Sequence, residues 1–179
     1  MVSIGVLCLQ GDFREHLAVL DEIGVQSVRV RKPQDLSGIS GLIIPGGEST
    51  VIDKLSRIYE LREPIIQLIT KGLPVFGTCA GLIMLAHEIT GGTADQKNFG
   101  GLDVTVSRNA FGSQKDSFES TIGFEGIKKS ITVAFIRAPI VTSVGDGVDV
   151  LAKLNDGTIV AVRQGNLLGT SFHPEITQV

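Results

Sequence analysis

Cys79 lies between two glycines in Phe76-Gly77-Thr78-Cys79-Ala80-Gly81. A short apolar run, Leu73-Pro74-Val75-Phe76, precedes the turn, and a helix-like stretch from Leu82 to Glu88 follows it. Strand, Gly-x-Cys-x-Gly turn and helix together make the cysteine form of the nucleophile elbow, whose serine form is a catalytic motif. The glycines permit a cramped backbone that lifts the side chain between them off the end of the sheet. The dipole of the following helix favours thiolate at that position. The chemistry this suggests is nucleophilic attack by sulfur on a carbonyl. Taken alone, the hexapeptide reads equally well as a small buried cysteine in a tight turn.

A thiol nucleophile needs a base within hydrogen-bond reach and a group that orients the base. The chain has three histidines. His16 falls early in the first predicted helix. His87 falls late in the helix predicted after the elbow, about two turns from Cys79 and out of its reach. His173 follows the strand-like run Leu167 to Phe172, at the carboxyl end where chemistry gathers in open α/β sheets. Glu175 stands two residues on, beyond Pro174, where a carboxylate can fix the imidazole tautomer. By itself His173-Pro174-Glu175 is an ordinary terminal loop. Combined with the elbow, Cys79, His173 and Glu175 form a candidate triad.

Pro45-Gly46-Gly47-Glu48-Ser49-Thr50 also follows a buried strand and precedes a helix, so it belongs on the same sheet edge. Its backbone N–H groups can approach a ligand closely and stabilise an oxyanion, with the Ala80 N–H as second donor. A tight turn in which Ser49 caps the next helix is compatible with that reading. Glu48 at the mouth of such a site suits a substrate ammonium, and is equally at home as a solvated loop residue.

These residues must be placed by the elements around them. Ser3 to Leu9 is a continuous apolar run, as expected of a strand buried on both faces. Phe13 to Ile23 carries helical periodicity and Gly24 closes it. Gln26 to Val30 and Gly41 to Pro45 read as strands. Thr50 to Tyr59 and Leu61 to Lys71 read as helical pieces with a break near Pro64. Alternation of this kind predicts a parallel sheet covered by helices. After Gly91 the runs 102–107, 118–124, 132–136, 148–154, 158–163 and 167–172 are strand-like and closely spaced, and Asn155-Asp156-Gly157 signals a hairpin. The expectation is an α/β fold: a three-layer open mixed sheet, mostly parallel, with antiparallel additions in the second half. Residues 109–116 are the expected mobile loop.

Length and composition bound the function. A chain of 179 residues suits one domain, residues 1–179. A hydrophobic content of 42% with 20% charged residues is the balance of a soluble globular chain. A net charge of −3 and a pI near 5.6 argue against a nucleic-acid footprint. No apolar stretch is long enough for a membrane span, and Met1-Val2-Ser3-Ile4-Gly5 does not read as a signal peptide. Two cysteines, Cys8 and Cys79, make no disulfide framework and fit a reducing, cytoplasmic setting. No metal-ligand spacing is present.

Gly77-Thr78-Cys79-Ala80-Gly81, the distal His173-Pro174-Glu175 and the upstream Pro45-Gly46-Gly47-Glu48-Ser49-Thr50 resemble the class I, triad-type glutamine amidotransferases. Further segments narrow the resemblance to the branch formed by the glutaminase subunits of pyridoxal 5′-phosphate synthases. They are Leu9-Gln10-Gly11 with Arg14-Glu15-His16, Arg108-Asn109-Ala110-Phe111-Gly112, Asp116-Ser117-Phe118-Glu119 and Phe135-Ile136-Arg137-Ala138-Pro139. The resemblance covers essentially the whole chain and implies a flavodoxin-like class I amidotransferase fold. It implies hydrolysis of L-glutamine to L-glutamate and ammonia, with Cys79 as nucleophile, His173 as base and Glu175 as orienter. It further implies Gly47 and Ala80 as oxyanion donors, and Gly47, Glu48, Ser49, Arg108, Ile136 and Arg137 as glutamine contacts.

Either arginine can hold the substrate carboxylate. A structural ion pair is the competing role for both and the stronger expectation for Arg137. The implied partner is a (β/α)₈-barrel synthase subunit that receives the ammonia, with no cofactor on the glutaminase itself. Arg14, Glu15 and His16 match a segment near the docking face, although taken alone an exposed helix face is the favoured reading of these three. Cys8 stands where relatives often have glycine and reads as a buried filler. Relatives usually carry a further helix beyond the position of Val179. Two rival classes are a catalytically silent scaffolding subunit, disfavoured by the complete triad, and another thiol enzyme such as a peptidase or deglycase.

Overall fold

The computed structural model describes residues 1–108, 110–111 and 117–177. The expected mobile loop, residues 109–116, therefore falls outside the described residues except at 110–111. The first half alternates as predicted: β1 (Ser3–Leu7), α1 (Phe13–Glu22), β2 (Gln26–Val30), β3 (Gly41–Ile44), α2 (Ser49–Ile58), α3 (Arg62–Thr70), β4 (Val75–Thr78) and α4 (Ala80–Leu85). Strands β5 (Ala86–Thr90), β6 (Leu102–Ser107), β7 (Ser117–Ile122) and β8 (Ile131–Ile136) follow. The chain continues through β9 (Ile140–Val144), β10 (Asp149–Lys153), β11 (Ile159–Gln164) and β12 (Leu167–Thr170).

The main sheet runs β2-β1-β3-β4-β12-β11-β9-β6-β5, with β10 paired to β11. Strands β2, β1, β3, β4 and β12 are mutually parallel, and β11 turns antiparallel against β12. Side chains alternate across this sheet, because successive Cβ atoms point to opposite faces. Val6 and Cys8 join Leu20 of α1 on one face, whereas Leu7, Leu42 and Ile44 pack with Ile52, Ile65 and Leu82 of α2, α3 and α4 on the other. This is the three-layer arrangement, with the sheet apolar on both sides.

Several local expectations are corrected. The stretch Leu82–Glu88 is not one helix: α4 stops at Leu85, and His87 and Glu88 lie on β5, paired in parallel with β6. All six residues of α4 are buried, so its apolar run reflects depth rather than an amphipathic face. The break between α2 and α3 lies at residues 59–61. Pro64 sits in the first turn of α3, where a missing N–H costs nothing. Ser49 is the first residue of α2 rather than its cap, and its Oγ is buried without a partner among the described residues. Strands β5 and β9 were not anticipated. β7 and β8 pair only with each other instead of joining the main sheet.

The β7–β8 hairpin is held by aromatic packing. Phe118 stacks on Phe135 with centroids 4.8 Å apart, Phe111 meets both rings edge-on, and Phe135 meets Phe172 at 5.7 Å. The 111 and 118 segments that narrowed the family resemblance thus contribute core aromatics. The hairpin is also tied to the end of β12, since the His173 N–H donates to the Ala134 carbonyl at 2.9 Å.

Helix α4 approaches β3 closely. A Cβ on Gly81 would run into the Ile44 carbonyl oxygen, and one on Gly77 would lie 2.5 Å from the Gly81 carbonyl. Backbone cannot yield as a flexible side chain can. Gly81→Ala is expected to lower unfolding stability by about 2 kcal/mol or more through overpacking. Urea denaturation measures the change; an unaltered midpoint would contradict this packing.

Candidate active site

Parallel pairing fixes which ends of the strands meet. Thr170 of β12 is in register with Thr78 of β4, and Ile44 of β3 with Gly77. The carboxyl ends of β1, β3, β4 and β12 therefore open on one edge, carrying Gln10 and Asp12, Gly46 to Ser49, Cys79, and His173 to Glu175 respectively. A cavity of about 490 Å³ lies there, and Cys79, His173, Gly47, Glu48, Ser49, Arg108, Ile136 and Arg137 all line it. Gln10, Asp12 and Ile83 complete its wall.

Cys79 has φ 51° and ψ −104°, a conformation that L residues rarely adopt. The turn is held from both sides. The Cys79 N–H donates to the Thr170 carbonyl at 2.8 Å, and its carbonyl accepts from the Ile83 N–H. Its Sγ lies 3.8 Å from the Ile136 carbonyl. The strain is the expected signature of an elbow and places the thiol at the N-terminus of α4. Ala80 begins α4 and is itself buried.

His173 is 3% exposed. Its Nδ1–H donates to Glu175 Oε1 at 2.7 Å, leaving Nε2 as the other ring nitrogen, and Asp12 Oδ2 lies 3.3 Å from Nδ1. A Cβ on Gly46 would collide with the imidazole Cε1, so the glycine turn packs directly on this ring. Glu175 does not line the cavity. It is buried behind His173 and reached from the far side by His16 Nε2 at 3.4 Å. Burial pulls the His173 pKa down, but interaction with the Cys79 sulfur and with Glu175 outweighs it and raises the value to about 10. Burial likewise pushes Glu175 up, yet hydrogen bonding from His16 and His173 brings it down to about 2. Burial pushes the Asp12 carboxyl above its usual value.

The two arginines differ. Arg108 lies 3.6 Å from Glu48 through Nη2 and donates through Nη1 to Gln96 Oε1 at 3.2 Å. Arg137 is exposed, has φ 45°, and makes no ion pair among the described residues, against the expectation of a structural pair there. The Glu48 N–H donates to Gln10 Oε1 at 2.8 Å, tying the β1 and β3 loops together.

Sequence reasoning missed Asp12 and misplaced His16. Asp12 looks like an N-cap, but its side chain makes no cap bond and its carboxylate faces His173. His16 was expected on an exposed helix face. It is 4% exposed, because α1 turns it inward one turn after Asp12 while Arg14 and Glu15 remain outside. The i, i+4 spacing of Asp12 and His16 was the available clue. Cys8 is buried, as a filler should be, and its thiol pKa is raised by burial.

A model of one protein family matches residues 6–179. The chain belongs to the SNO glutamine amidotransferase family. It is 59% identical over 175 residues to the "Pyridoxal 5′-phosphate synthase subunit PdxT" of Clavibacter sepedonicus, covering 97% of this chain and 84% of that one. It is 54% identical over 177 residues to the protein of the same description from Dehalococcoides mccartyi, covering 98% and 91%. A solved structure described as a glutamine amidotransferase superposes with TM-score 0.91 at 48% identity, over 97% of this chain and 91% of that one. A glutamine amidotransferase from Thermotoga maritima shares the fold at TM-score 0.63 and 16% identity, over 97% of this chain and 76% of that one. These neighbours identify the fold as that of the class I glutamine amidotransferases.

The pKa shifts set a stability window. Glu175, lowered from 4.5, stabilises the fold fully above pH 4.5 and loses that contribution as pH falls through about 2. His173, raised from 6.5, stabilises it fully below pH 6.5 and loses that contribution as pH rises through about 10. The stability difference between wild type and Glu175→Gln is expected to be largest between those two inner limits and to shrink toward either extreme. Denaturation across the pH range measures it, and a pH-independent difference would count against the ion pair.

Proposed function

We propose that this chain hydrolyses L-glutamine to L-glutamate and ammonia and delivers the ammonia to a pyridoxal 5′-phosphate synthase barrel subunit in a hetero-oligomer. The observation that carries the reading is the strained Cys79 sharing one cavity with His173, which Glu175 pairs from behind, and with the Arg108–Glu48 charges. Membership of the amidotransferase family and the synthase-subunit description of its relatives support the reaction and the partner.

Free glutamine is a zwitterion, and the cavity offers charges of both signs. Arg108 takes the α-carboxylate through paired N–H donors and Glu48 takes the α-ammonium. Gly47, Ser49, Ile136 and Arg137 complete the substrate contacts. The side-chain amide then faces Cys79. The Cys79 thiol gives its proton to His173, the sulfur attacks the amide carbon and the C=O electrons move onto oxygen, where the Gly47 and Ala80 N–H groups hold the oxyanion. Such a donor is worth on the order of 3 kcal/mol in barrier height. The His173 imidazolium gives its proton to the departing nitrogen, the C–N bond breaks, and ammonia leaves with a thioester on Cys79. Water adds to the thioester while His173 takes its proton; the C–S bond breaks as His173 returns that proton to the departing sulfur, releasing glutamate and the thiol. Glu175 keeps the imidazole in the tautomer both steps need.

In this reading residues 1–179 act as one glutaminase domain that needs no cofactor or metal of its own. A working thiol suits the reducing cytoplasm. Among the described residues no helix is long and apolar enough to cross a membrane.

Two substitutions test the assignment, assayed as glutamate release with the synthase partner present. Cys79→Ala is expected to abolish turnover and leave partner binding in place; substantial residual turnover would require another nucleophile. Arg108→Ala is expected to raise KM for glutamine about tenfold or more, the loss of a charged hydrogen-bonded contact. An unchanged KM would return Arg108 to a structural role with Gln96.

A further inference from the structure

We infer that His16 is a positioning residue, which holds the Glu175 carboxylate against His173 from the side opposite the thiol. This rests on the glutaminase reading for its kinetic consequence, but not for the contact itself. The Glu175 side chain is 1% exposed, and Oε2 has no partner among the described residues. Its hydrogen-bonding groups converge on the other oxygen: Oε1 lies 2.7 Å from His173 Nδ1 and 3.4 Å from His16 Nε2. A buried carboxylate with so few donors depends on each of them.

The ring of His16 is itself fixed. Nε2 lies 3.2 Å from Thr78 Oγ1, one residue before Cys79, and the ring stands edge-on to Phe76 at 6.5 Å. An ionised carboxylate only accepts, so a proton on Nε2 is what His16 can offer to Oε1 at 3.4 Å, and Thr78 Oγ1 at 3.2 Å shares that nitrogen. His16 thereby connects the strand that ends in the nucleophile to the carboxylate that orients the base. It never touches the cavity, so its effect on chemistry must pass through Glu175.

The titratable groups facing Glu175 are His173 in its own segment, Asp12 just before α1 and His16 within it; Cys79 faces His173 from the elbow. Hydrogen bonding from His16 comes first among the influences that lower the Glu175 pKa against burial. Removing that donor makes the carboxylate easier to protonate. It then stops accepting from Nδ1 at a higher pH.

The test titrates the Glu175 side-chain carboxyl by carbon-detected NMR in the full chain without glutamine, in wild type, His16→Phe and His16→Gln. Phenylalanine keeps the packing on Phe76 and removes the donor; glutamine restores an N–H near the Nε2 position. In His16→Phe the Glu175 midpoint is expected to rise by about one unit or more, and in His16→Gln to return most of the way. Glutaminase assays in the presence of the synthase partner are expected to show kcat down about tenfold with KM unchanged in His16→Phe, and the acid limb of kcat moved to higher pH. An unmoved Glu175 midpoint overturns the inference whatever the enzyme does. If wild type hydrolyses no glutamine with its partner, the functional reading fails while the NMR midpoint still decides the contact. Should His16→Phe not fold, His16→Asn, whose amide is too short to donate to Glu175, carries the same comparison.

Discussion

The pairing of β12 beside β4, in the same direction and in register from Val75–Leu167 to Thr78–Thr170, is the constraint on which the site depends. These strands are separated by nearly ninety residues of chain. Their parallel course brings the residues just beyond each carboxyl end to one rim. A one-residue slip would turn every β12 side chain to the other face and carry His173 with it. The slip is opposed on both sides of β12, by β4 and by β11, and again beyond its end where His173 bridges to Ala134.

Within that frame the polar groups form a short buried chain rather than an isolated triad. Thr78, His16, Glu175, His173 and Asp12 connect through contacts of 2.7 to 3.4 Å at the base of the cavity. Ionised groups at that depth persist only where partners compensate the lost hydration. Glu175 lies between two imidazoles, and His173 between two carboxylates and a sulfur. Each charge has its compensation nearby, while Arg108 and Glu48 pair with each other at the cavity wall. The aromatic cluster of Phe111, Phe118, Phe135 and Phe172 performs the complementary task. It seats the β7–β8 hairpin so that Ile136 and Arg137 reach the cavity from the side facing Cys79.

Much of this was legible in the chain. The elbow, the glycine turn after β3 and the histidine after β12 each follow a buried strand, and strand ends are where backbone pattern and chemistry coincide. Helix and strand types in the first half were readable because their apolar periods are distinct. The passage from α4 to β5 was not, since Leu82–Ala86 is apolar at every position and such a run suits helix and strand alike. Strand β9, β-branched at every position but Ser143, follows β8 after only Arg137-Ala138-Pro139, a gap too short for periodicity alone to set the two strands apart. His16 was misjudged for a related reason. Periodicity says which residues share a face of α1, but a polar residue on the inward face is recognisable only once its partners are known.

The sequence by itself determined the kinds of chemistry available: a strained thiol, an imidazole with a carboxylate two residues away, backbone donors on a glycine turn, and charges of both signs. It also determined the alternation that forces a parallel sheet. The tertiary structure decided which carboxylates and imidazoles meet, because those contacts join segments whose separation along the chain carries no record of their distance. It brought His16 and Asp12 inward, joined Arg108 to Glu48 and left Arg137 free of any ion pair among the described residues. The physical reason is that local preference fixes the direction of a side chain relative to its own element, whereas a buried charge takes its partner from whichever element the packing of the sheet brings alongside.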